Sequence, residues 1–167
     1  MKVFLIAAIT ADGFIGRGAY HTADWTSPED KKLFVRLTKE AGVMVFGSRT
    51  FETIGRALPG RRTIVYTSQP SKITAEGVEA TSESPTDLVK RLEAEGAAGL
   101  AVCGGASIYS LFMHAGVVEE LYITVEPLLF GQGLPLFGDK LETTLRLLDT
   151  SKLNDNAVLL HYAVEKP

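Results

Sequence analysis

The sequence is poor in the residues on which disulfide and metal chemistry depend. Cys103 is the only cysteine among 167 residues, so no disulfide can form within the chain, and we expect a reducing, cytoplasmic compartment. The three histidines, His21, His114 and His161, are far apart and lack the spacing of metal ligands. No metal site is predicted.

Long apolar runs and an excess of positive charge are also missing. No stretch approaches the roughly 18 apolar residues that a membrane-spanning helix needs. The apolar run at the N-terminus is short, and Asp12 follows it without a small-residue cleavage site, so a buried strand is favoured over a signal peptide. The net charge is −3, which offers no basic field for a nucleic acid or an anionic membrane, and neither partner is expected.

Strand and helix patterns alternate along the chain. With 46% apolar content, 167 residues suffice for one domain with a core, so residues 1–167 are predicted to be a single domain. Apolar runs at 2–11, 43–46 and 100–103 are typical of buried strands, and 143–148 with 157–164 predict a final hairpin. The alternation indicates an α/β fold with one sheet.

The most informative stretch is 47–62, which follows the apolar run at 43–46. Gly47 ends that run, and Ser48 or Thr50 can cap a short helix. The free N–H groups of a helix N-terminus favour phosphate, and Arg49 adds a positive charge there. After the turn at Pro59-Gly60, the guanidinium of Arg61 is able to clamp a carboxylate. The alternative is a helix and turn with surface arginines.

Two other strand ends carry small or hydroxyl residues suited to phosphate. Thr67-Ser68 follows an apolar strand, although a capped turn before Pro70 explains it equally well. Gly104-Gly105 lies between a strand and a helix, where glycines allow a pyrophosphate close to the backbone. Together with 47–50, these ends indicate an extended dinucleotide laid across the sheet.

A helix is predicted from Ser27 to Ala41, with a capping serine and a proline at its start. The helical period places Asp30 on the same side as Leu33, Phe34 and Leu37. A carboxylate beside an aromatic ring on an apolar face is suited to ligand binding. The alternative is an ordinary acid in the first turn, where the helix dipole favours negative charge.

Three motifs resemble those of the dihydrofolate reductase family. The run TFETIGRALPGRR resembles the family signature, and Trp25-x-x-Pro28-x-Asp30-x-x-x-Phe34-x-x-x-Thr38 matches its pterin-binding helix. The GGAxxY segment resembles its cofactor site. The likeness covers nearly the whole chain and implies a three-layer α/β sandwich, with a mostly parallel central sheet and an antiparallel C-terminal strand.

The resemblance also implies function: hydride transfer from NADPH to 7,8-dihydrofolate in the cytoplasm by a monomer or homodimer. Asp30 would bind the pterin and favour protonation of N5, with Thr124 bonded to its carboxylate and Trp25 ending the loop that closes over the nicotinamide. The implied substrate-binding residues are Ile6, Ala8, Phe34, Ile54, Leu58, Arg61, Cys103 and Tyr109. The implied cofactor-binding residues are Ala8, Ile15, Gly16, Gly47, Ser48, Arg49, Thr50, Thr67, Ser68, Gly104, Gly105, Ala106, Ser107 and Ile108.

Some positions depart from the family pattern. Ser48 and Ser107 stand where family members carry basic residues near the 2′-phosphate of NADPH. The longer loop at 11–25 and the glycine-rich run LLFGQGLPLFG resemble the pyrimidine-reductase branch of the superfamily. Two alternatives therefore remain: a reductase of a deaminated ribityl-aminopyrimidine in riboflavin biosynthesis, and a nucleotide-sensing module without turnover.

Overall fold

The computed structural model describes residues 1–18 and 23–167, which are built around an eight-stranded sheet. Its strands are β1 (Lys2–Thr10), β3 (Val43–Gly47), β4 (Arg62–Tyr66), β5 (Val78–Thr81), β6 (Gly99–Val102), β7 (Glu120–Glu126), β9 (Leu145–Lys152) and β10 (Val158–Val164). Two short strands, β2 (Phe14–Gly16) and β8 (Leu134–Pro135), form a separate pair. The order in the large sheet is β5-β4-β3-β6-β1-β7-β10-β9, and β10 runs antiparallel to both of its neighbours. The predicted α/β fold with a mostly parallel sheet is confirmed.

Helices cover both faces of the sheet and give the predicted three layers. They are α1 (Pro28–Ala41), α2 (Ser48–Ile54), α3 (Pro85–Ala94) and α4 (Ala106–His114). Alternate residues of β1 enter the two cores, because side chains along a strand point to opposite faces. Leu5 packs in the core that includes residues of α3 and α4, whereas Phe4 and Ile6 pack in the core that includes residues of α1 and α2.

Helix α1 begins and ends as its sequence predicts, and this places Asp30 in the first turn. The side chain of Ser27 accepts the N–H of Asp30 at 3.2 Å, and Pro28 occupies the first helical position. At the other end, Gly42 adopts the left-handed conformation with φ of 82° and donates its N–H to the carbonyl of Thr38. These caps satisfy backbone groups that the helix leaves unpaired.

The start of α2 differs from the prediction that Ser48 or Thr50 caps it. Gly47 is the N-cap residue, no side chain caps the helix, and Ser48 is already its first residue. Ser48 therefore lies inside helix α2, one position too late in the helix to serve as its N-cap. Helix α2 ends at its C-cap residue Gly55, which adopts the left-handed conformation with φ of 73°.

The predicted loop 11–25 contains structure that the sequence pattern missed. Strand β2 pairs antiparallel with β8, which lies within the glycine-rich segment after β7, and a 3₁₀ turn spans Ala23–Trp25. A three-residue strand shows no periodicity, and its partner is remote in sequence, so no local signal reveals the pairing. Residues 19–22 of this predicted loop lie outside the described residues.

The final hairpin is present, but its first strand is longer than predicted. Strand β9 extends to Lys152, whereas the apolar pattern predicts an end at residue 148. The added residues are polar and exposed because β9 is the edge of the sheet, and the register with β10 shifts at His161/Tyr162. An exposed edge strand needs no apolar alternation.

Candidate active site

A cleft of about 1230 Å³ opens at the carboxyl ends of the central strands. In parallel sheets with helices on both faces, this edge is where ligands bind. The cleft brings together most of the residues singled out from the sequence. Those that line it are Ile6, Ala8, Ile15, Gly16, Trp25, Asp30, Phe34, Gly47, Ser48, Arg49, Thr50, Ile54, Leu58, Arg61, Cys103, Gly104, Gly105, Ala106, Ser107, Ile108 and Tyr109.

Asp30 is the buried carboxylate of the cleft, with 9% exposure. Burial raises its pKa above the ordinary aspartate range, and the negative charge of Glu126 raises it further. A hydrogen bond from Thr124 and the charge of Lys31 oppose these effects without cancelling them. An acid with a raised pKa holds its proton closer to neutral pH, which suits proton transfer to a ligand.

Thr124 and Trp25 are the two other residues predicted to act with Asp30. Thr124 is 1% exposed and does not line the cleft itself; it lies on β7 beside Ala8 of β1, and its hydrogen bond to Asp30 lowers the pKa of that carboxyl group. Trp25 lines the cleft and packs edge-on against Phe130, with ring centroids 5.2 Å apart. Its buried Nε1 has no hydrogen-bond partner. A buried, unpaired donor is costly, so this N–H is available to a ligand or an ordered water.

Arg61 lies on the wall of the cleft formed by the turn before β4. Its Nη1 donates to the carbonyl of Pro59 at 2.6 Å, while its buried Nε has no partner. Burial lowers the pKa of this guanidinium. The neighbouring Arg62 is different, since it forms ion pairs with Glu79 and Glu95. Of the two arginines, Arg61 is the one whose donors remain open to an anion in the cleft.

The glycines at the strand ends leave little room for side chains. A Cβ on Gly105 would lie 3.1 Å from Oγ1 of Thr50, and one on Gly47 would lie 2.9 Å from Ile108. Gly104 has φ of 113°, and a Cβ there would meet the hydroxyl of Tyr109. Gly105 is also the N-cap of α4 without a capping side chain. Bare backbone at a helix N-terminus fits the pyrophosphate of a dinucleotide.

Of the three strand ends predicted to bind phosphate, those at 47–50 and 104–105 line the cleft, whereas the one at 67–68 does not. Thr67 and Ser68 line a neighbouring cavity of about 590 Å³, which shares Ser48 with the main cleft. Oγ1 of Thr67 accepts the N–H of Gln69 at 3.1 Å, which is the capped turn that the sequence offered as an alternative. Ser48 therefore joins this second cavity to the cleft.

Several residues that line the cleft escaped the sequence reasoning. Tyr66 ends β4 with a buried hydroxyl that has no partner, and burial raises its pKa to about 12. Its position at a strand end beside Thr67 is the signal that could have found it. His114 and Asp139 line the far end of the cleft with 3.1 Å between Nε2 and Oδ2. Their sequence separation gives no signal of this contact.

No group of three or more potential metal ligands among histidine, cysteine, aspartate and glutamate occurs within residues 1–18 and 23–167. Over the same ranges, none of the helices has the length and apolar character needed to span a bilayer.

Comparison with known proteins gives the family. The sequence model for dihydrofolate reductase matches residues 2–127. The chain is 36% identical over 129 residues to dihydrofolate reductase type A13 of Escherichia coli, covering 75% of this chain and 74% of that protein. It is 28% identical to the uncharacterized protein YwjB of Bacillus subtilis, covering 96% and 97% of the two chains. The chain belongs to the dihydrofolate reductase family.

Two solved structures share the fold over nearly the whole chain. A pyrimidine reductase-like protein from Corynebacterium diphtheriae superposes with a TM-score of 0.79 at 19% identity, covering 99% of this chain and 92% of that one. A diaminohydroxyphosphoribosylaminopyrimidine deaminase/5-amino-6-(5-phosphoribosylamino)uracil reductase from Thermotoga maritima has the same TM-score at 14% identity, covering 98% and 56%. At such identities the likeness concerns the fold.

Proposed function

We propose that the protein is an NADPH-dependent reductase of 7,8-dihydrofolate. The observation that carries this proposal is the buried Asp30, which faces an apolar cleft together with Phe34 and has a raised pKa. The bound nicotinamide would supply the hydride. The protein itself then has to orient the substrate, exclude water and provide a route for one proton.

Asp30 is the group that orients the pterin. Its carboxylate oxygens accept hydrogen bonds from the 2-amino group and N3, while the bond from Thr124 keeps the carboxyl group in place. Because burial raises its pKa, Asp30 also favours the protonated form of the ring at neutral pH. The unpaired Nε1 of Trp25 lines the same cleft and is able to hold a water for that proton.

Arg61 is the group that binds the glutamate tail of the folate. Its open donors line the same cleft as Asp30, and Ile54 and Leu58 supply apolar surface there. A guanidinium binds a carboxylate through two parallel hydrogen bonds, a geometry that lysine cannot provide. A substrate with an aromatic head and an anionic tail matches this arrangement.

The cofactor would lie along the backbone of Gly104 and Gly105 and the start of α4. Ser107 and Arg49 also line the cleft, and the guanidinium of Arg49 has no ion-pair partner within the described ranges. It is therefore free to neutralise a phosphate. Ala8 and Ile15, which line the cleft too, would border the nicotinamide. These roles belong to the proposal.

Oxidation of NADPH on addition of dihydrofolate tests this function. The purified protein should consume NADPH rapidly, and Asp30→Asn should bind NADPH normally but lose most of the turnover. The exposed Glu40, paired with Arg36 on the same helix, provides the control, because Glu40→Gln removes an acid of α1 that is absent from the cleft lining. Turnover that survives unchanged in Asp30→Asn at neutral pH would refute the role of Asp30.

A second candidate is a reductase acting on 5-amino-6-(5-phosphoribosylamino)uracil or its dephosphorylated form. It is favoured by the fold likeness over 99% of this chain to a pyrimidine reductase-like protein. The named dihydrofolate reductases align with only about three quarters of the chain. NADPH oxidation with the aminouracil but not with dihydrofolate would select this candidate, and Arg61→Leu would then leave its KM unchanged.

A further inference from the structure

Glu126 is a buried carboxylate that the proposed chemistry does not use. It is 2% exposed and lies on β7, two positions beyond Thr124 and therefore on the same face of the sheet. Its Oε1 accepts the N–H of Ser27 at 2.9 Å and the hydroxyl of Ser27 at 2.7 Å. Within residues 1–18 and 23–167, Glu126 forms no ion pair with a lysine or arginine, which is unusual for a buried carboxylate. Its charge is stabilised here by two donors and by the N-terminus of α1.

Ser27 bridges Glu126 and Asp30. The same Oγ that donates to Glu126 accepts the N–H of Asp30 at 3.2 Å. The hydroxyl is thus oriented by the carboxylate, with its proton directed to Glu126 and a lone pair directed to the first turn of α1. Strand β7 is in this way tied to the turn that carries Asp30, through a contact separate from the bond between Thr124 and Asp30.

We propose that Glu126 is a positioning residue for Asp30, which it holds through Ser27 while adding a second negative charge near the carboxyl group. This inference rests on the proposed function in one respect, because the role of Asp30 in turnover is part of that proposal. The contacts themselves are independent of any substrate.

The charges around Asp30 are few, so the contribution of Glu126 can be separated. Within residues 1–18 and 23–167, the charged groups that shift the pKa of Asp30 are Lys31 and Glu126, and Thr124 adds a hydrogen bond. The charge of Asp30 in turn raises the pKa of Tyr109. Burial has the largest effect on the pKa of Asp30, followed by the hydrogen bond from Thr124 and then by Glu126. Burial and Glu126 act in the same direction, and Lys31 opposes them.

The test is a titration of the Asp30 carboxyl carbon by ¹³C NMR in wild type, Glu126→Gln and Glu29→Gln. Glutamine keeps the size of Glu126, and its carbonyl oxygen can still accept both bonds from Ser27, so the change removes mainly the charge. Glu29 is the matched control, since it lies in the same helical turn but pairs with Asn154. The Asp30 signal is assigned by its loss in Asp30→Asn.

We expect the titration of Asp30 to shift to lower pH in Glu126→Gln and to keep the wild-type midpoint in Glu29→Gln. Equal midpoints in wild type and Glu126→Gln would overturn the proposal. Should Glu126→Gln fail to fold, Ser27→Ala decides the question, because loss of the hydroxyl that bridges Glu126 and Asp30 should raise the KM for dihydrofolate several-fold, and a wild-type KM would overturn the proposal.

Ser27→Ala tests the positioning contact, because it removes the bridging hydroxyl and leaves the charge of Glu126. We expect a several-fold higher KM for dihydrofolate with the pH profile unchanged, whereas Glu126→Gln should move the profile to lower pH. Ser27→Ala with a wild-type KM would contradict the positioning role. If the protein does not reduce dihydrofolate at all, the proposed function fails, but the NMR titration still decides the charge effect of Glu126.

Discussion

Replacement of Arg61 by leucine should weaken folate binding while leaving the fold intact. The buried Nε of Arg61 has no partner, and within the described ranges the substitution removes the bond to the carbonyl of Pro59 without breaking an ion pair. A charge-assisted bidentate contact contributes about 1.5–3 kcal/mol. At about 1.4 kcal/mol per factor of ten, this corresponds to a KM raised about 10- to 150-fold.

Steady-state oxidation of NADPH with two substrates separates this effect from general damage. The KM for dihydrofolate should rise in Arg61→Leu, whereas the KM for a dihydropterin without the aminobenzoylglutamate tail should stay at the wild-type value. Arg56→Leu serves as the matched control, because Arg56 is an exposed arginine nearby that does not line the cleft. An unchanged KM for dihydrofolate in Arg61→Leu would refute the assignment of the carboxylate to this side chain.

Three further predictions concern the cofactor, the active-site acid and the fold. Gly105→Ala should raise the Kd for NADPH in fluorescence titration, because its Cβ would lie 3.1 Å from Oγ1 of Thr50; an unchanged Kd would place the cofactor elsewhere. The pKa of Asp30 is higher in the folded state than in the unfolded state. The free energy of unfolding therefore falls as the pH rises from the unfolded pKa to the folded pKa. Asp30→Asn should therefore melt at a higher temperature than wild type at pH 7, and the difference should vanish below about pH 3.9; a lower melting temperature at pH 7 would contradict this. Arg91 forms ion pairs with Glu83 and two other glutamates in a surface network. Arg91→Leu should therefore lower the free energy of unfolding, measured in urea, by about 1 kcal/mol. An unchanged free energy of unfolding at low salt would contradict this.

Much of the fold could be predicted because it depends on local patterns. The apolar run of β3 and the capping residues of α1 lie within a few positions of the elements that they define. The position of Asp30 on the apolar side of α1 follows from the helical period alone. These features need no knowledge of distant contacts.

The features that were missed depend on contacts between remote segments. The pairing of β2 with β8 and the contact between His114 and Asp139 join parts of the chain that are distant in sequence. The contact between Ser27 and Glu126 is of the same kind, and here each residue has an ordinary local reading, as a helix cap and as a strand end. Sequence periodicity carries no information on which strand end meets which helix start.

The most direct measurement is the loss of NADPH absorbance when dihydrofolate is added to the purified protein at neutral pH, with Asp30→Asn measured in parallel. Rapid oxidation by the wild type and a loss of most of the turnover in Asp30→Asn, with NADPH binding retained, is the predicted result. Absence of oxidation by the wild type, or equal rates for the two proteins, would contradict a folate reductase that depends on Asp30.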